Sequence, residues 1–476
     1  MKRFLFALLL GAASAGAEDN VLTLEQGMSL VIQNSPELKS SGMQARSGAL
    51  EIDKADSRLG WQLRSTVKAE HDISFMGTPV DRGTVSAGLG KPLALGGNVE
   101  LGLGYVYEDS ALALSPLLPN PSHSSRADLS YRLPLAKGWG NVEYHSGMKS
   151  AEAQGEQARY EFLARQDGLG RQYIERYYGA AFVSRRLQHG RESLNRSKRL
   201  LAHIGRNERI GINDRKDRLQ ARALVHAREA DLKTLELSWT QQRNALNRMM
   251  MQPWHKEFVP VVGPGDYTLP LEEALNQIRA RDPYVGSIRA RAEQAAAWVN
   301  NRRDNKRDTL DLTLSVGYRG LSGEDSAGAS IDETDKAGSL TIEYRRGLDK
   351  RGVDADLMQA QLAHDSAMEQ LTGAEADMEY NVASLHTEIL RNQESVAAQR
   401  ARLVAEQEKY REGQFRYRDG RIDISQLIQF EEELSAAELG LIQQETQLAQ
   451  RLAIMSLWRG VLMPVVQLEP ENREKN

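Results

Sequence analysis

Charged residues gather around two short glycine turns. The first reads Arg209-Ile210-Gly211-Ile212-Asn213-Asp214, with Arg215, Asp217 and Arg218 just beyond it. The second reads Arg418-Asp419-Gly420-Arg421-Ile422-Asp423, preceded by Arg416. Carboxylates and guanidinium groups this close together can pair or present a patch of charge, and an exposed pair of this kind contributes only ~0–1 kcal/mol. A solvated charged turn is the plainer reading of any one of these residues. Neither cluster is a catalytic set, because no nucleophile sits beside a base. The nine His are scattered, and there is no metal-spaced His pair and no phosphate-binding loop. The chain has no Cys, which excludes thiol nucleophiles, thiolate metal sites and disulfides. No enzyme, metal or cofactor is expected.

The elements that position these turns are four very long helices. Apolar residues recur every seventh position: Tyr173, Ala180, Leu187, Leu194, Leu201; Val225, Leu232, Trp239, Leu246; Val382, Ile389, Val396, Leu403, Tyr410; Leu427, Leu434, Leu441, Leu448, Met455. Sustained heptads imply coiled-coil packing. The spacing predicts helices over about 143–207, 214–250, 351–413 and 423–460, the longer ones reaching ~95 Å. Gly211 and Gly420 permit the left-handed backbone that ends a helix, and Asn213 and Asp423 are good N-caps for the next. The turns are short, so each pair must run antiparallel.

Strict alternation predicts strands. Leu63, Ser65, Val67, Ala69, His71 and Ile73 oppose Arg64, Thr66, Lys68, Glu70 and Asp72; Leu310, Leu312, Leu314, Val316 and Tyr318 oppose Asp311, Thr313 and Ser315. Similar runs are Val99–Tyr107, Ala127–Leu133 and Leu340–Tyr344, with a weaker one at Val85–Leu89. A soluble sheet would explain any single run. Apolar faces carrying Tyr, opposite charged faces and an exported chain together favour a membrane barrel.

The chain also repeats itself. Leu22-Thr23-Leu24-Glu25-Gln26 returns as Leu269-Pro270-Leu271-Glu272-Glu273, and Pro36 returns as Pro283. The expected organisation is a signal peptide over 1–17, a first repeat over 18–262 with strands at about 61–134, and a second over 263–476 with a helix at about 271–305 and strands at about 310–346. A break is expected at each proline. The shift between copies is 247 at the first strand but 209 at the turn glycines, so the first half holds 38 extra residues. They look like a β-hairpin closed by Gly96-Gly97-Asn98, which would either add two membrane strands, making six per chain, or form an excursion beyond the membrane; the apolar faces of Val99–Tyr107 favour membrane contact and the Gly-rich opposite face suits either.

Lys2 and Arg3, the apolar run Phe4–Leu10 and Ala15-Gly16-Ala17 read as a secretory signal. No later segment reaches ~18 apolar residues, so no spanning helix is expected. A lipid-modified N-terminal Cys is excluded. The net charge of -4 gives no argument for nucleic acid.

The duplicated Leu-x-Leu-Glu openings, the Asn34-Ser35-Pro36-Glu37 and Arg281-Asp282-Pro283-Tyr284 breaks, Tyr131-Arg132-Leu133-Pro134-Leu135 with its echo Tyr344-Arg345-Arg346-Gly347-Leu348, and the motif Gly211-x5-Asp217-x3-Ala221 carry a resemblance. In this order they resemble the TolC-like outer-membrane efflux channels of Gram-negative bacteria, over essentially the whole mature chain. The resemblance implies a mixed α/β membrane protein: a trimeric outer-membrane β-barrel, four strands per subunit, continued by a long α-helical coiled-coil periplasmic tunnel and built from two tandem repeats. It implies an exit duct of a tripartite pump in the outer membrane, partnered by a periplasmic adaptor protein, an inner-membrane transporter and outer-membrane lipid. The resemblance makes the helical tips the gate and the adaptor-docking region. The candidates are Arg209, Gly211, Asp214, Asp217, Arg218, Arg418, Gly420, Arg421 and Asp423, with Asp214, Asp217 and Asp423 expected to pair with Arg209, Arg218 and Arg421. One departure is clear. The family's acidic ring, six and nine residues past the second tip glycine, falls on Gln426 and Gln429. A diffusion porin would need many more strands and no such helices. An exported structural coiled coil would need no apolar-faced strands.

Overall fold

The computed structural model describes residues 21–73, 77–110, 119–210, 214–263, 266–323, 328–332 and 334–463. The signal reading over 1–17 lies outside them, as does Gly211 with its neighbours 212–213. In chain order the elements are β1 (Val21–Leu22), α1 (Leu24–Asn34), α2 (Pro36–Asp56), β2 (Gln62–Ile73), β3 (Pro79–Pro92), β4 (Asn98–Ser110), β5 (Ser122–Pro134), α3 (Val142–Arg209), α4 (Arg215–Met249), β6 (Val259–Pro260), α5 (Leu271–Arg279), α6 (Pro283–Asn305), β7 (Thr309–Ser322), α7 (Ala329–Asp332), β8 (Thr334–Arg345), α8 (Arg351–Arg418) and α9 (Ile424–Trp458). Helices α3 and α8 have 68 residues each, and α4 and α9 have 35 each. Among the described residues no helix is long and apolar enough to cross a membrane.

The chain forms two compact units. One, Met1–Met43 with Phe162–Pro283 and Glu375–Asn476, is helical. The heptad positions named above are buried or half-buried there, with Tyr173, Ala180, Leu246 and Ile389 fully enclosed. Proline sets the local breaks. Helix α1 stops at Asn34, Ser35 Oγ accepts the Leu38 N–H at 3.3 Å, and Pro36 opens α2 at the position where a missing N–H costs nothing. Pro283 opens α6 in the same way. Thr23 and Gln26 cap α1 reciprocally. A two-residue parallel ladder joins β1 to β6, and the buried Tyr177 hydroxyl sits against it, 2.8 Å from the Leu22 carbonyl and 2.9 Å from that of Val261. Segments this short carry no periodicity, so the sequence did not show them.

The other unit, Gln44–Glu161 with Tyr284–Ala374, holds a six-stranded antiparallel sheet in the order β2-β3-β4-β5-β7-β8. This corrects the count of four strands implied by the resemblance. The extra residues form the hairpin β3–β4, paired along its length to β2 on one side and β5 on the other. Gly96 and Gly97 adopt φ of +99° and +85° to close it, and a Cβ on Gly97 would lie 2.1 Å from the Arg132 carbonyl oxygen.

Register puts every alternation on one surface. Leu63, Leu89, Leu101, Leu129 and Val316 form a single row across five strands. Ala87, Leu103, Ala127 and Tyr318 form the next. Most of the large residues in these rows are exposed. The opposite face carries Arg64, Gly88, Gly102, Asp128 and Gly317 in one row and Gly90, Glu100, Ser130, Ser315 and Ser339 in another. A contiguous exposed apolar surface backed by a charged one is the pattern of a sheet facing lipid on one side and water on the other. The strands have 12 to 14 residues, enough to cross a bilayer at a tilt.

Candidate functional site

The tip of the helical unit is built on a small apolar knot. Ile204 of α3, Ala221 of α4, and Ile424 and Leu427 of α9 are buried together, with Tyr410, Tyr417 and Ile422 packed around them. The charged residues ring this knot. At the second turn Gly420 has φ +69°; its N–H donates to the Tyr417 carbonyl at 3.1 Å, and the Arg421 N–H donates to the Arg416 carbonyl at 2.8 Å. This is the Schellman ending, for which glycine is the favoured residue. Asp423 then caps α9, accepting the Gln426 N–H at 2.9 Å.

The carboxylates are spent mainly on helix ends. Asp217 accepts the Asp214 N–H at 3.4 Å in the first turn of α4. Arg218 pairs at 3.0 Å with Glu208, which lies outside the predicted set, and so ties the end of α3 to the start of α4. Arg421 lies 3.8 Å from Asp419, and Arg416 pairs with Glu412 at 2.9 Å. Arg418 stacks over the Phe415 ring. Arg209 is exposed at the end of α3. Within one chain Arg218 thus lies with Glu208 and Arg421 with Asp419. Gln220 of α4 and Ser425 of α9 meet at 3.3 Å.

Behind the tip lies a polar ladder that the sequence analysis missed. Glu431, Glu438 and Glu445 stand seven residues apart on α9. Glu431 is 1 % exposed, accepts from Ser193 Oγ at 3.0 Å, and lies 3.5 Å from Arg196 Nε and 3.1 Å from Arg228 Nη2. It thus links α9 to both α3 and α4. Glu438 meets Arg196 at 2.8 Å and His189 Nε2 at 2.9 Å. Glu445 meets Arg185 at 2.8 Å and Arg400 at 3.0 Å. Burial pushes the Glu438 carboxyl upward, but the hydrogen bond from His189 and the charge of Arg196 outweigh it and hold the group below its ordinary value. The heptad spacing of the three glutamates was the available signal.

No protein-family model matches the chain, and no curated protein matches it. Solved structures do. The outer membrane protein VceC of Vibrio cholerae superposes with TM-score 0.67 over 92% of this chain and 96% of its own, at 15% identity. The Campylobacter jejuni CmeC outer membrane channel gives 0.62 over 92% and 85%, at 14% identity. The open state of the Neisseria gonorrhoeae MtrE outer membrane channel gives 0.56 over 92% and 88%, at 17% identity. The chain has the TolC-like outer-membrane channel fold. Gln426 and Gln429, six and nine residues past the second tip glycine, are exposed, and Gln429 donates to Glu433 at 3.0 Å.

One half-buried carboxyl outside the tip gives a pH prediction. Desolvation pushes Asp167 up to about 6, against the pull of Arg281 and with the push of Asp282. In the folded chain it keeps its proton where an unfolded Asp has lost it. Its contribution therefore falls as pH rises from about 4 to about 6. Asp167→Asn is expected to remove that fall, raising stability at pH 7 relative to pH 4 by of order 2–3 kcal/mol against the unsubstituted protein. Thermal melting of both proteins across this window checks it; identical pH profiles would refute the assignment.

Proposed function

We propose that this protein is the exit duct of a tripartite export system, set in the outer membrane and joined to a periplasmic adaptor and an inner-membrane transporter. Three copies close one barrel, and the helices of each contribute to one periplasmic tunnel. The equal lengths of α3 and α8, and of α4 and α9, fit two tandem repeats. The duct conducts passively and catalyses nothing. The observation that carries this reading is the six-stranded sheet with contiguous exposed apolar rows on one face and two open edges, β2 and β8. Unpaired edges cannot be left in hydrocarbon, so partner copies must supply the missing ladders. All neighbours in the sheet are antiparallel, so β8 of one copy meets β2 of the next in the orientation the pattern continues.

The resting gate is assigned to the tips. Three copies converging there bring like charges together, and arginines placed between carboxylates relieve the repulsion. Arg218 and Arg421 are the residues to remove, with Glu208 and Asp419 as their partners. Each pair is weak, which suits a gate that an adaptor must open. The experiment combines native mass and planar-bilayer recording in mild detergent. A trimer is expected, and Arg218→Ser with Arg421→Ser is expected to raise its conductance several-fold. A stable monomer would end the duct reading; a trimer with unchanged conductance would move the constriction away from these residues.

A further inference from the structure

The hairpin β3–β4 enlarges the sheet, and its own residues describe what it enlarges. On the charged face it contributes Ser86, Gly88, Gly90, Gly102 and Gly104, which have almost no side-chain height. The neighbouring charges lie down in the space these leave. A Cβ on Gly88 would come within 3.1 Å of Glu100 Oε1, one on Gly102 within 3.2 Å of the Asp128 carboxylate, and one on Gly104 within 2.7 Å of Arg126 Nε. Arg82 is likewise held along the wall by Glu108 at 2.6 Å. These contacts belong to the folded sheet and do not depend on other copies. The inserted arc is therefore a low, hydrophilic floor with its charges folded flat.

Resting on the duct reading, we infer that the assembled barrel has eighteen strands and opens into a lumen broad enough for hydrated solutes that a twelve-stranded exit would exclude. Strands about 4.8 Å apart and tilted by about 40° close at a backbone diameter near 36 Å for eighteen, against roughly 24 Å for twelve. Side chains projecting inward would cancel much of that gain. The glycine floor prevents this along the added arc. The barrel thus offers breadth rather than a binding pocket: the wall carries both signs of charge and hydroxyl groups, and no aromatic side chain faces it from the six strands.

The absence of Cys makes the test direct, since each introduced thiol is the only one. Ser315→Cys places a thiol on the charged face of β7. Purified trimers of the full chain, and of a form lacking residues 79–121, are treated with a small maleimide and with one carrying a polyethylene glycol too broad for a twelve-stranded lumen. The deletion keeps strand direction and facing, because β2 and β5 are antiparallel and Leu63 and Leu129 share a row. Both reagents are expected to label the full trimer, and the broad one to label the shortened trimer an order of magnitude less. Equal labelling of both trimers by the broad reagent, or its exclusion from the full one, overturns the proposal. Glu100→Cys and Leu101→Cys in the full chain decide the matter without the deletion. An aqueous maleimide should reach the first at least tenfold faster, and equal rates would place the hairpin outside the wall. Failure of the full chain to form a trimer would instead remove the duct reading itself.

Discussion

Leu103→Arg is expected to abolish assembly in the outer membrane, with folded trimer falling by an order of magnitude or more. Leu103 lies in the middle of β4, between Ala87 on β3 and Ala127 on β5, on the exposed apolar face. An arginine at bilayer mid-depth costs roughly 2–4 kcal/mol, and each trimer would carry three. The charge cannot be neutralised locally, since Ala87 and Ala127 flank it and the rest of its row, Ser65, Tyr318 and Lys336, offers no carboxylate. Thr313→Arg is the matched control. It stands on the charged face of β7, opposite Arg132 and Thr341, and should assemble nearly as well as the parent. Heat-modifiable gel mobility of the membrane fraction reports folded trimer. Equal assembly of the two variants would show that the apolar rows do not face lipid.

The strands were legible because one face had to be apolar and the other wet, and a one-residue slip would exchange them. That constraint wrote itself into Leu63–Ile73 and Leu310–Tyr318 as pure alternation. The break at Pro36 and the ending at Gly420 were legible because only those residue types relieve the local backbone problem. The status of the hairpin was not. Its apolar residues, Leu101 and Leu103, argued for membrane, but the glycines opposite them suited either a wall or an excursion. Only register, with Gly88 against Gly102 and Asp128 beside it, shows that the strands pair along their whole length. The tip was half legible. Its turns and capping residues could be read, but the partners that the charged side chains take within one chain, set by side-chain reach across the turn, could not. Asp419 and Asp423 each stand two residues from Arg421, yet the Asp423 carboxylate caps α9 while Asp419 lies beside the guanidinium, and Glu208 reaches Arg218 from across the turn. The glutamate ladder on α9 was hidden by the stronger leucine heptad running beside it.

That ladder carries the second large effect. Glu431→Ala is expected to destabilise the helical unit by roughly 3–5 kcal/mol, because it leaves Arg196 and Arg228 partly buried without their shared carboxylate. Arg196 retains Glu438 at 2.8 Å, so the greater loss falls on Arg228 and on the α4–α9 contact. Glu431→Gln keeps an acceptor for Ser193 Oγ and should cost less, which separates lost charge from lost volume. A triple replacement of Glu431, Arg196 and Arg228 by Met should recover most of the stability, since apolar residues of similar size often match a buried ion pair. What the triple variant should not recover is the resting gate. Glu431 sits one turn behind the apolar knot of Leu427 and Ile424, and it fixes α9 against α3 and α4 at once. Methionine fills the space without fixing the register. Melting of the three variants and their bilayer conductance therefore separate. The expected pattern is low stability for the alanine variant, and near-normal stability with raised or fluctuating conductance for the triple one. A triple variant that is stable and conducts like the parent would show that the ladder holds the helices together without setting the gate.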